Sequence, residues 1–178
     1  MTPHHRRSIR LQGYDYTQHG AYFVTICAHE RRCIWGQVAG GAMVLNEWGR
    51  VVQSCWDEIP VHYPMVELDV FVTMPNHVHG VIVITRDDES NGGGMIYHAP
   101  TKREFSKPIA NSLSTIIGTF KAAVTRRIHR LPNAPDHPIW QRNYYEHIIR
   151  SEDALNMIRA YVVNNPAKWA EDQLFVEL

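Results

Sequence analysis

The stretch Met74-Pro75-Asn76-His77-Val78-His79-Gly80 lies between two segments that both have the composition of β-strands. Residues 66–74 alternate in polarity before it, and residues 81–84 continue it as an apolar run. Pro75 and Asn76 are typical turn residues, so the two segments are predicted to form an antiparallel hairpin. The second strand ends apolar on both faces, which is typical of a central strand.

The alternation in the first of these segments predicts a strand with one face on the core. That face would carry Val66, Leu68, Val70, Val72 and Met74. The opposite face would carry Glu67, Asp69, Phe71 and Thr73.

His77 and His79 are two residues apart on the second strand, so their imidazoles are expected side by side on one face. Neutral imidazole is a common ligand of divalent cations, and the pair could therefore hold one metal ion. Two such histidines can equally be ordinary half-buried or surface residues. The pair needs a further partner before it defines a site.

A candidate partner lies downstream, where Tyr161 and Asn165 fall at the end of a helix predicted from about Ser151. Their spacing of four residues places them on one helix face. A phenol nucleophile would then lie one turn from a carboxamide oxygen that can bind a hard cation. Tyr161 could instead be a packing residue, and Asn165 could be a cap because it precedes Pro166.

A His-hydrophobe-His strand followed by a helix with Tyr-x-x-x-Asn resembles the HUH single-tyrosine transposases. Residues 8–27, 66–84 and 140–169 look like the branch known as REP-associated tyrosine transposases, which are linked to repetitive extragenic palindromes. The resemblance covers most of the chain and leaves residues 86–108 outside it.

This resemblance implies a metal-dependent endonuclease or strand transferase that acts on single-stranded DNA at hairpins or palindromic repeats. Tyr161 would be the catalytic nucleophile and would form a 5′-phosphotyrosine. His77, His79 and Asn165 would bind a divalent metal ion, with Mg²⁺ or Mn²⁺ expected. The phosphotyrosine would store the energy of the cleaved bond, so strands could be rejoined without a nucleotide cofactor.

Other readings remain open at this point. Tyr144 and Tyr145 are rival nucleophiles, although they lie on a predicted strand or loop without a carboxamide one turn away. A hairpin-DNA binding protein that keeps the transposase fold without cleaving would show salt-sensitive binding unaffected by Tyr161→Phe. A metal-dependent hydrolase of small phosphoesters would turn over without DNA.

The remaining predicted elements define the fold class. Residues 21–28 form a predicted strand, a helix runs from an N-cap at Asn46 to about Ile59 where Pro60 ends it, and a second runs from Ile109 to about Leu131. Residues 140–149 have the composition of a further strand before the tyrosine helix. The expected fold is α+β and resembles a ferredoxin-like or RRM-like antiparallel sheet, with helices packed mainly on one face.

A length of 178 residues fits one domain, residues 1–178. Within it, residues 1–11 are a predicted basic arm and residues 86–108 a Gly-rich flexible insertion. No apolar run approaches the roughly 20 residues that span a bilayer, and the start lacks the apolar stretch of a signal peptide. A cytoplasmic protein without membrane contact is expected, either as a monomer or as a homodimer.

The formal net charge is zero, so any contact with nucleic acid depends on how the charges are distributed. Two basic groups are candidates for contact with DNA phosphates, although such groups are often only solvated surface. These groups are Arg6, Arg7 and Arg10 at the start, and Lys121, Arg126, Arg127 and Arg130 on the second predicted helix. Aromatic side chains such as Tyr144, Tyr145 and Trp140 could stack on unpaired bases.

Overall fold

The computed structural model describes residues 19–85 and 111–176. The strands are β1 (Gly20–Cys27), β2 (Gly36–Ala39), β3 (Ala42–Leu45), β4 (Val66–Thr73), β5 (His77–Ile84) and β6 (Tyr145–Ile149). The helices are α1 (Glu47–Asp57), α2 (Ile59–His62), α3 (Leu113–Ile128) and α4 (Glu152–Asn164). Short 3₁₀ segments follow at His29–Arg31 and Pro166–Glu171.

Four strands form one antiparallel sheet in the order β4-β5-β1-β6. The predicted hairpin joins β4 to β5, and β5 is a central strand, as its apolar composition indicated. Strands β2 and β3 form a separate hairpin that contacts the 3₁₀ segment after α4. The predicted α+β class with a ferredoxin-like sheet is confirmed.

Helices α1 and α3 cover one face of the sheet and enclose the larger core. Helix α1 begins as predicted at Asn46, whose side chain accepts a hydrogen bond from the amide of Gly49. It ends earlier than predicted, at Asp57, because a second helix starts directly afterwards. Pro60 lies in the first turn of α2, where a missing N–H leaves no helical hydrogen bond unmade.

Helix α4 lies on the opposite face of the sheet, where a smaller apolar cluster forms around Phe23, Val81, Ile149 and Val162. Its N-cap is Ser151, whose hydroxyl accepts a hydrogen bond from the amide of Ala154. The helix therefore begins where the sequence predicted. Within residues 19–85 and 111–176, α4 is the one helix on this face, and part of the sheet remains accessible beside it.

The predicted alternation along β4 is wrong beyond Leu68. The register shifts between Leu68 and Phe71, so Phe71 packs on Trp56 in the larger core, whereas Val70 and Val72 face α4. A bulge adds one residue to one strand and reverses the faces of those that follow. Periodicity of polarity alone does not reveal such an insertion.

Several expectations concern parts of the chain outside the described residues. These are the basic arm with Arg6, Arg7 and Arg10, and the insertion at residues 86–108. The second predicted helix is α3, which begins later than predicted, at Leu113, because the extended backbone of Ser112 forms its N-cap, and it ends earlier, at Ile128. Within residues 19–85 and 111–176, none of the helices combines the length and apolar character needed to cross a membrane.

Alanine substitutions at Gly80 and at Gly118 are expected to change the free energy of unfolding in opposite directions, because only Gly80 lies where β5 closely approaches α1. A Cβ at Gly80 would overlap the ring of Trp56, which stacks on Phe71 with centroids 4.4 Å apart. We expect Gly80→Ala to lower the free energy of unfolding by about 1–3 kcal/mol, because the core is already filled. Gly118 on α3 has nothing within 4 Å of such a Cβ.

Gly118→Ala should therefore raise the free energy of unfolding by about 0.5–1 kcal/mol, since alanine restricts the unfolded chain more than glycine does. Urea unfolding of both variants measures the difference. Equal stability of the two variants would contradict the packing described for β5 and α1.

Candidate active site

The two central strands place His77 and His79 on the face of the sheet that α4 partly covers. Across the strand pair, His77 lies opposite Cys27 and His79 lies opposite Thr25. Both histidines are buried, with 0% and 3% of their surface exposed. Their Nε2 atoms are 2.9 Å apart, so the two imidazoles converge on one point.

The other ring nitrogen of each histidine has its own partner. His79 Nδ1 lies 2.8 Å from the hydroxyl of Thr25, and His77 Nδ1 lies 2.8 Å from Oδ1 of Asn76. Because Asn76 Oδ1 can only accept, His77 Nδ1 carries the hydrogen and donates it. His77 Nε2 therefore keeps a lone pair that is directed at the pair's common point.

Burial also sets the charge of the pair. It lowers the pKa of His77 and the pKa of His79 below their ordinary value, since an imidazolium would lose its hydration there. Both side chains are therefore neutral near pH 7. Neutral imidazole is the form that binds metal ions.

Helix α4 brings Tyr161 to the same point. Its hydroxyl is 3.2 Å from His79 Nε2, and its ring contacts both His79 and Phe23. The apolar side of α4 is formed by other residues, so Tyr161 is 47% exposed and faces the cleft beside the histidines. Burial of the hydroxyl and the nearby carboxylate of Asp172 raise the pKa of the phenol.

Asn165 caps the end of α4 and keeps helical backbone angles, φ −57° and ψ −42°, although it precedes Pro166. Only 3% of its surface is exposed. Its Nδ2 donates to Asp172 Oδ2 at 2.8 Å, whereas its Oδ1 is buried without a hydrogen-bond partner in the part of the chain that the structure describes. A buried carboxamide oxygen without a partner is suited to a cation.

Asp172 is a candidate site residue that the sequence analysis missed. His77, His79 and Asp172 each offer one ligand atom, and these atoms all lie within 4.8 Å of one another. Asp172 follows the Tyr-x-x-x-Asn motif at a distance and lies in an irregular segment, where no periodicity predicts its direction. Only the folded chain brings it to the histidines.

These donors fit a divalent metal ion. Two neutral imidazoles, one carboxylate and one amide oxygen combine nitrogen and oxygen ligands that suit several divalent cations. An octahedral ion with bonds of about 2.1 Å has neighbouring ligand atoms roughly 3 Å apart. The separation of 2.9 Å between the two Nε2 atoms is close to this value.

A cleft of about 840 Å³ opens beside the histidine pair. Its walls include the rings of Phe23, Tyr144 and Tyr145, the amides of Gln141, Asn143 and Gln173, and the cations Arg31 and Lys168. Aromatic rings and cations are the side chains that proteins use to hold unpaired bases and their phosphates. Sequence reasoning missed Arg31 and Lys168 because neither belongs to the basic groups that it singled out.

None of the four basic residues predicted on the second helix lines this cleft. Lys121 donates to the carbonyl oxygens of Gln141 and Arg142, at 2.5 and 3.2 Å, and burial lowers its pKa to about 8. Arg127 forms an ion pair with Glu58.

Arg126 is exposed on α3 and Arg130 is exposed just beyond its end. Helix α3 packs on the sheet face opposite the histidines. Trp140 was predicted to be able to stack on bases, but it is buried in the larger core against Trp35 and Phe120. It therefore packs inside the protein, whereas Tyr144 and Tyr145 remain in the cleft.

Comparison with known proteins identifies relatives of this chain. No protein-family model matches the chain. An uncharacterized protein of Haemophilus influenzae (strain ATCC 51907 / DSM 11121 / KW20 / Rd) is 41% identical over 174 residues, which cover 98% of this chain and 95% of that protein. The chain belongs to the same family as this protein.

A second Haemophilus influenzae protein of the same strain, named "Putative REP-associated tyrosine transposase", is 23% identical over 154 residues, or 86% of this chain and 74% of that protein. A solved structure of a REP-associated tyrosine transposase bound to a REP hairpin superposes with a TM-score of 0.59 at 19% identity. The superposition covers 90% of this chain and 74% of the chain in that solved structure. The chain has the fold of the REP-associated tyrosine transposases. The predicted resemblance to them is confirmed.

In this REP-associated tyrosine transposase fold, an ion pair fixes the helix that carries Tyr161. Arg159 on α4 donates to both carboxylate oxygens of Asp69 on β4, at 3.0 and 2.6 Å. These bonds lower the pKa of Asp69. Their contribution is therefore present above the ordinary aspartate pKa and is lost as the pH falls below about 4.

We expect Asp69→Asn to lower the free energy of unfolding by about 1 kcal/mol at pH 7, a value reduced by partial exposure of the pair. The difference from the unaltered protein should shrink as the pH falls from 7 to 3, measured by urea unfolding. Glu152→Gln is the control, because Glu152 contacts Arg159 at 3.3 Å but is largely exposed. A difference that stayed constant with pH would contradict this account.

Proposed function

We propose that this protein is a metal-dependent DNA strand transferase with a single tyrosine nucleophile, acting at hairpin or palindromic repeat DNA. The observation that carries the proposal is the position of the Tyr161 hydroxyl, 3.2 Å from Nε2 of His79 and beside the neutral histidine pair. Tyr161 and two of the candidate metal ligands, His79 and Asn165, line one cleft. Such an arrangement suits attack on a phosphodiester.

The candidate metal ligands are His77, His79 and Asn165. Both histidines are neutral and buried, and Asn165 presents a buried oxygen without a partner among the described residues. A divalent ion, with Mg²⁺ or Mn²⁺ expected, would supply charge compensation at the phosphate oxygens and at the leaving 3′ oxygen. The neutral imidazoles leave the positive charge of such an ion available to the phosphate.

Tyr161 would attack phosphorus through its hydroxyl oxygen, and the bond from phosphorus to the 3′ oxygen would break. The phenol loses one proton and the leaving oxygen gains one, so the products are a 5′-phosphotyrosine and a free 3′-OH. A second 3′-OH can attack the phosphotyrosine and restore a phosphodiester. The side of Tyr161 that faces the cleft is accessible to a DNA strand.

A single-stranded segment beside a hairpin is the proposed substrate. The related fold is known bound to a REP hairpin, and the cleft combines aromatic rings with Arg31 and Lys168. Phosphate contacts by the groups singled out in the sequence stay predictions, and among the members that the structure describes, Arg126 and Arg130 are exposed. The remaining members are Arg6, Arg7, Arg10, Lys121 and Arg127.

Covalent capture tests the nucleophile. The protein is incubated with labelled single strands that carry hairpins from the DNA flanking its own gene, in the presence of Mg²⁺ or Mn²⁺, and is run on denaturing gels. A protein-linked label should form with the unaltered protein and disappear in Tyr161→Phe, because that change removes the attacking oxygen. Tyr144→Phe and Tyr145→Phe each remove one of the two rival hydroxyls, and both variants should still form the adduct.

Formation of the adduct by Tyr161→Phe would exclude Tyr161 as the nucleophile. Binding without any adduct across several hairpins would favour the alternative, a hairpin-DNA binding protein that keeps the transposase fold without cleaving. Turnover of small phosphoesters without DNA would indicate a hydrolase instead.

The cations of the cleft yield a separate expectation for binding. Arg31→Gln should weaken binding of a hairpin with a single-stranded flank and reduce the slope of log K against log salt by about one, because one phosphate contact is lost. Arg50→Gln is the matched control, since Arg50 lies on α1 and bonds the carbonyl of Leu45 outside the cleft. Fluorescence anisotropy at several salt concentrations measures both. Equal slopes for the two variants would place the strand elsewhere.

A further inference from the structure

Asn76 belongs to the central sequence motif, yet neither the turn nor the candidate metal ligands explain its side chain. It is wholly buried, with 0% of its surface exposed. Its carboxamide makes two hydrogen bonds in opposite directions. Oδ1 accepts from Nδ1 of His77 at 2.8 Å, and Nδ2 donates to the carbonyl of Leu174 at 2.7 Å, 98 residues away in the chain.

The first bond orients His77. An amide oxygen holds the hydrogen on Nδ1 and leaves Nε2 as the acceptor that faces His79. A group that binds the second ring nitrogen of a metal-bound histidine fixes its tautomer and ring orientation, and its loss typically weakens metal binding about 10–100-fold. Asn76 has this position relative to His77.

The second bond holds the segment that carries Asp172. Leu174, whose carbonyl bonds Asn76, donates its own amide to Asp172 Oδ1 at 2.6 Å. The other oxygen of Asp172 accepts from Asn165 at 2.8 Å. Each carboxylate oxygen keeps a further lone pair, so Asp172 remains able to bind a cation.

Ring contacts support the same segment. The ring centroids of Trp169 and His77 are 6.0 Å apart, and those of Phe175 and Trp169 are 5.2 Å apart. The histidine pair and the chain from Trp169 to Phe175 are thus joined by one polar contact and one aromatic contact. A displacement of this segment would remove Asp172 from the histidines.

We propose that Asn76 is a positioning residue that joins the histidine pair to the segment Asp172–Leu174, so that Asp172 is a further protein ligand of the metal ion. Metal binding and the order of this segment are then coupled, because each stabilises the arrangement that the other requires. The inference rests on the proposed function in one respect, namely that the site binds a divalent cation. It does not depend on cleavage of DNA.

Calorimetric titration of the full chain with MnCl₂, in the absence of DNA, tests the ligand. Asp172→Asn keeps the size of the side chain and an acceptor for the amide of Leu174, and it should weaken Mn²⁺ binding at least 10-fold. Glu171→Gln is the matched control, because it removes a neighbouring exposed charge that lies outside the cluster of ligand atoms. Its affinity should stay within about twofold of the unaltered protein.

Hydrogen exchange tests the coupling. In the unaltered protein, Mn²⁺ should slow amide exchange in residues 172–176. In Asn76→Ala, the metal should lose this effect on residues 172–176 while the amides of β1 and β5 stay protected, a pattern that simple destabilisation would not produce. If Asn76→Ala does not fold, the exchange of Asp172→Asn decides the question, since the same metal effect should be lost there.

Unchanged Mn²⁺ affinity in Asp172→Asn, or no Mn²⁺ binding by the unaltered protein, would overturn the inference. A failure of the proposed function looks different. Mn²⁺ binding that depends on Asp172, without a covalent DNA adduct, would leave the inference standing and remove the transferase. An adduct that forms while Asp172→Asn binds Mn²⁺ normally would support the proposed function and overturn the inference.

Discussion

The antiparallel pairing of β1 with β5 is the constraint on which the rest of the site depends. It places Thr25 opposite His79 and holds both histidines on β5, one of the two central strands, where they are buried. Burial keeps the imidazoles neutral, and their Nε2 atoms lie 2.9 Å apart. Apolar side chains would fill this buried position without the cost of desolvating polar groups. A polar pair in this position is compatible with a divalent metal site.

The two faces of the sheet differ in what they pack against. One face, under α1 and α3, holds the larger core and gives the strands a fixed geometry. The other face carries the histidines, and α4 is the helix of the described residues that covers it, so that a cleft remains open beside Tyr161. Strand β5 supplies the candidate ligands His77 and His79, and α4 supplies the candidate nucleophile. This separation lets the site be precise and accessible at once.

Local periodicity explains how much could be predicted. The two-residue repeat of a strand placed His77 and His79 on one face, and the four-residue spacing of a helix placed Tyr161 beside Asn165. The bulge in β4 could not be predicted, because an inserted residue leaves no mark in composition. The positions of Asp172 and Leu174 beside the histidines could not be predicted either, since their contacts join segments about 100 residues apart and the residues lie in irregular chain.

The central claim is that a metal ion and a tyrosine nucleophile share one site. Anomalous diffraction from crystals grown with Mn²⁺ and a hairpin DNA tests it most directly. The account predicts a manganese peak bonded to the Nε2 atoms of His77 and His79, with a DNA phosphate between the metal and the Tyr161 hydroxyl. A peak elsewhere, or a strand bound away from Tyr161 with the histidine pair unchanged, would contradict it.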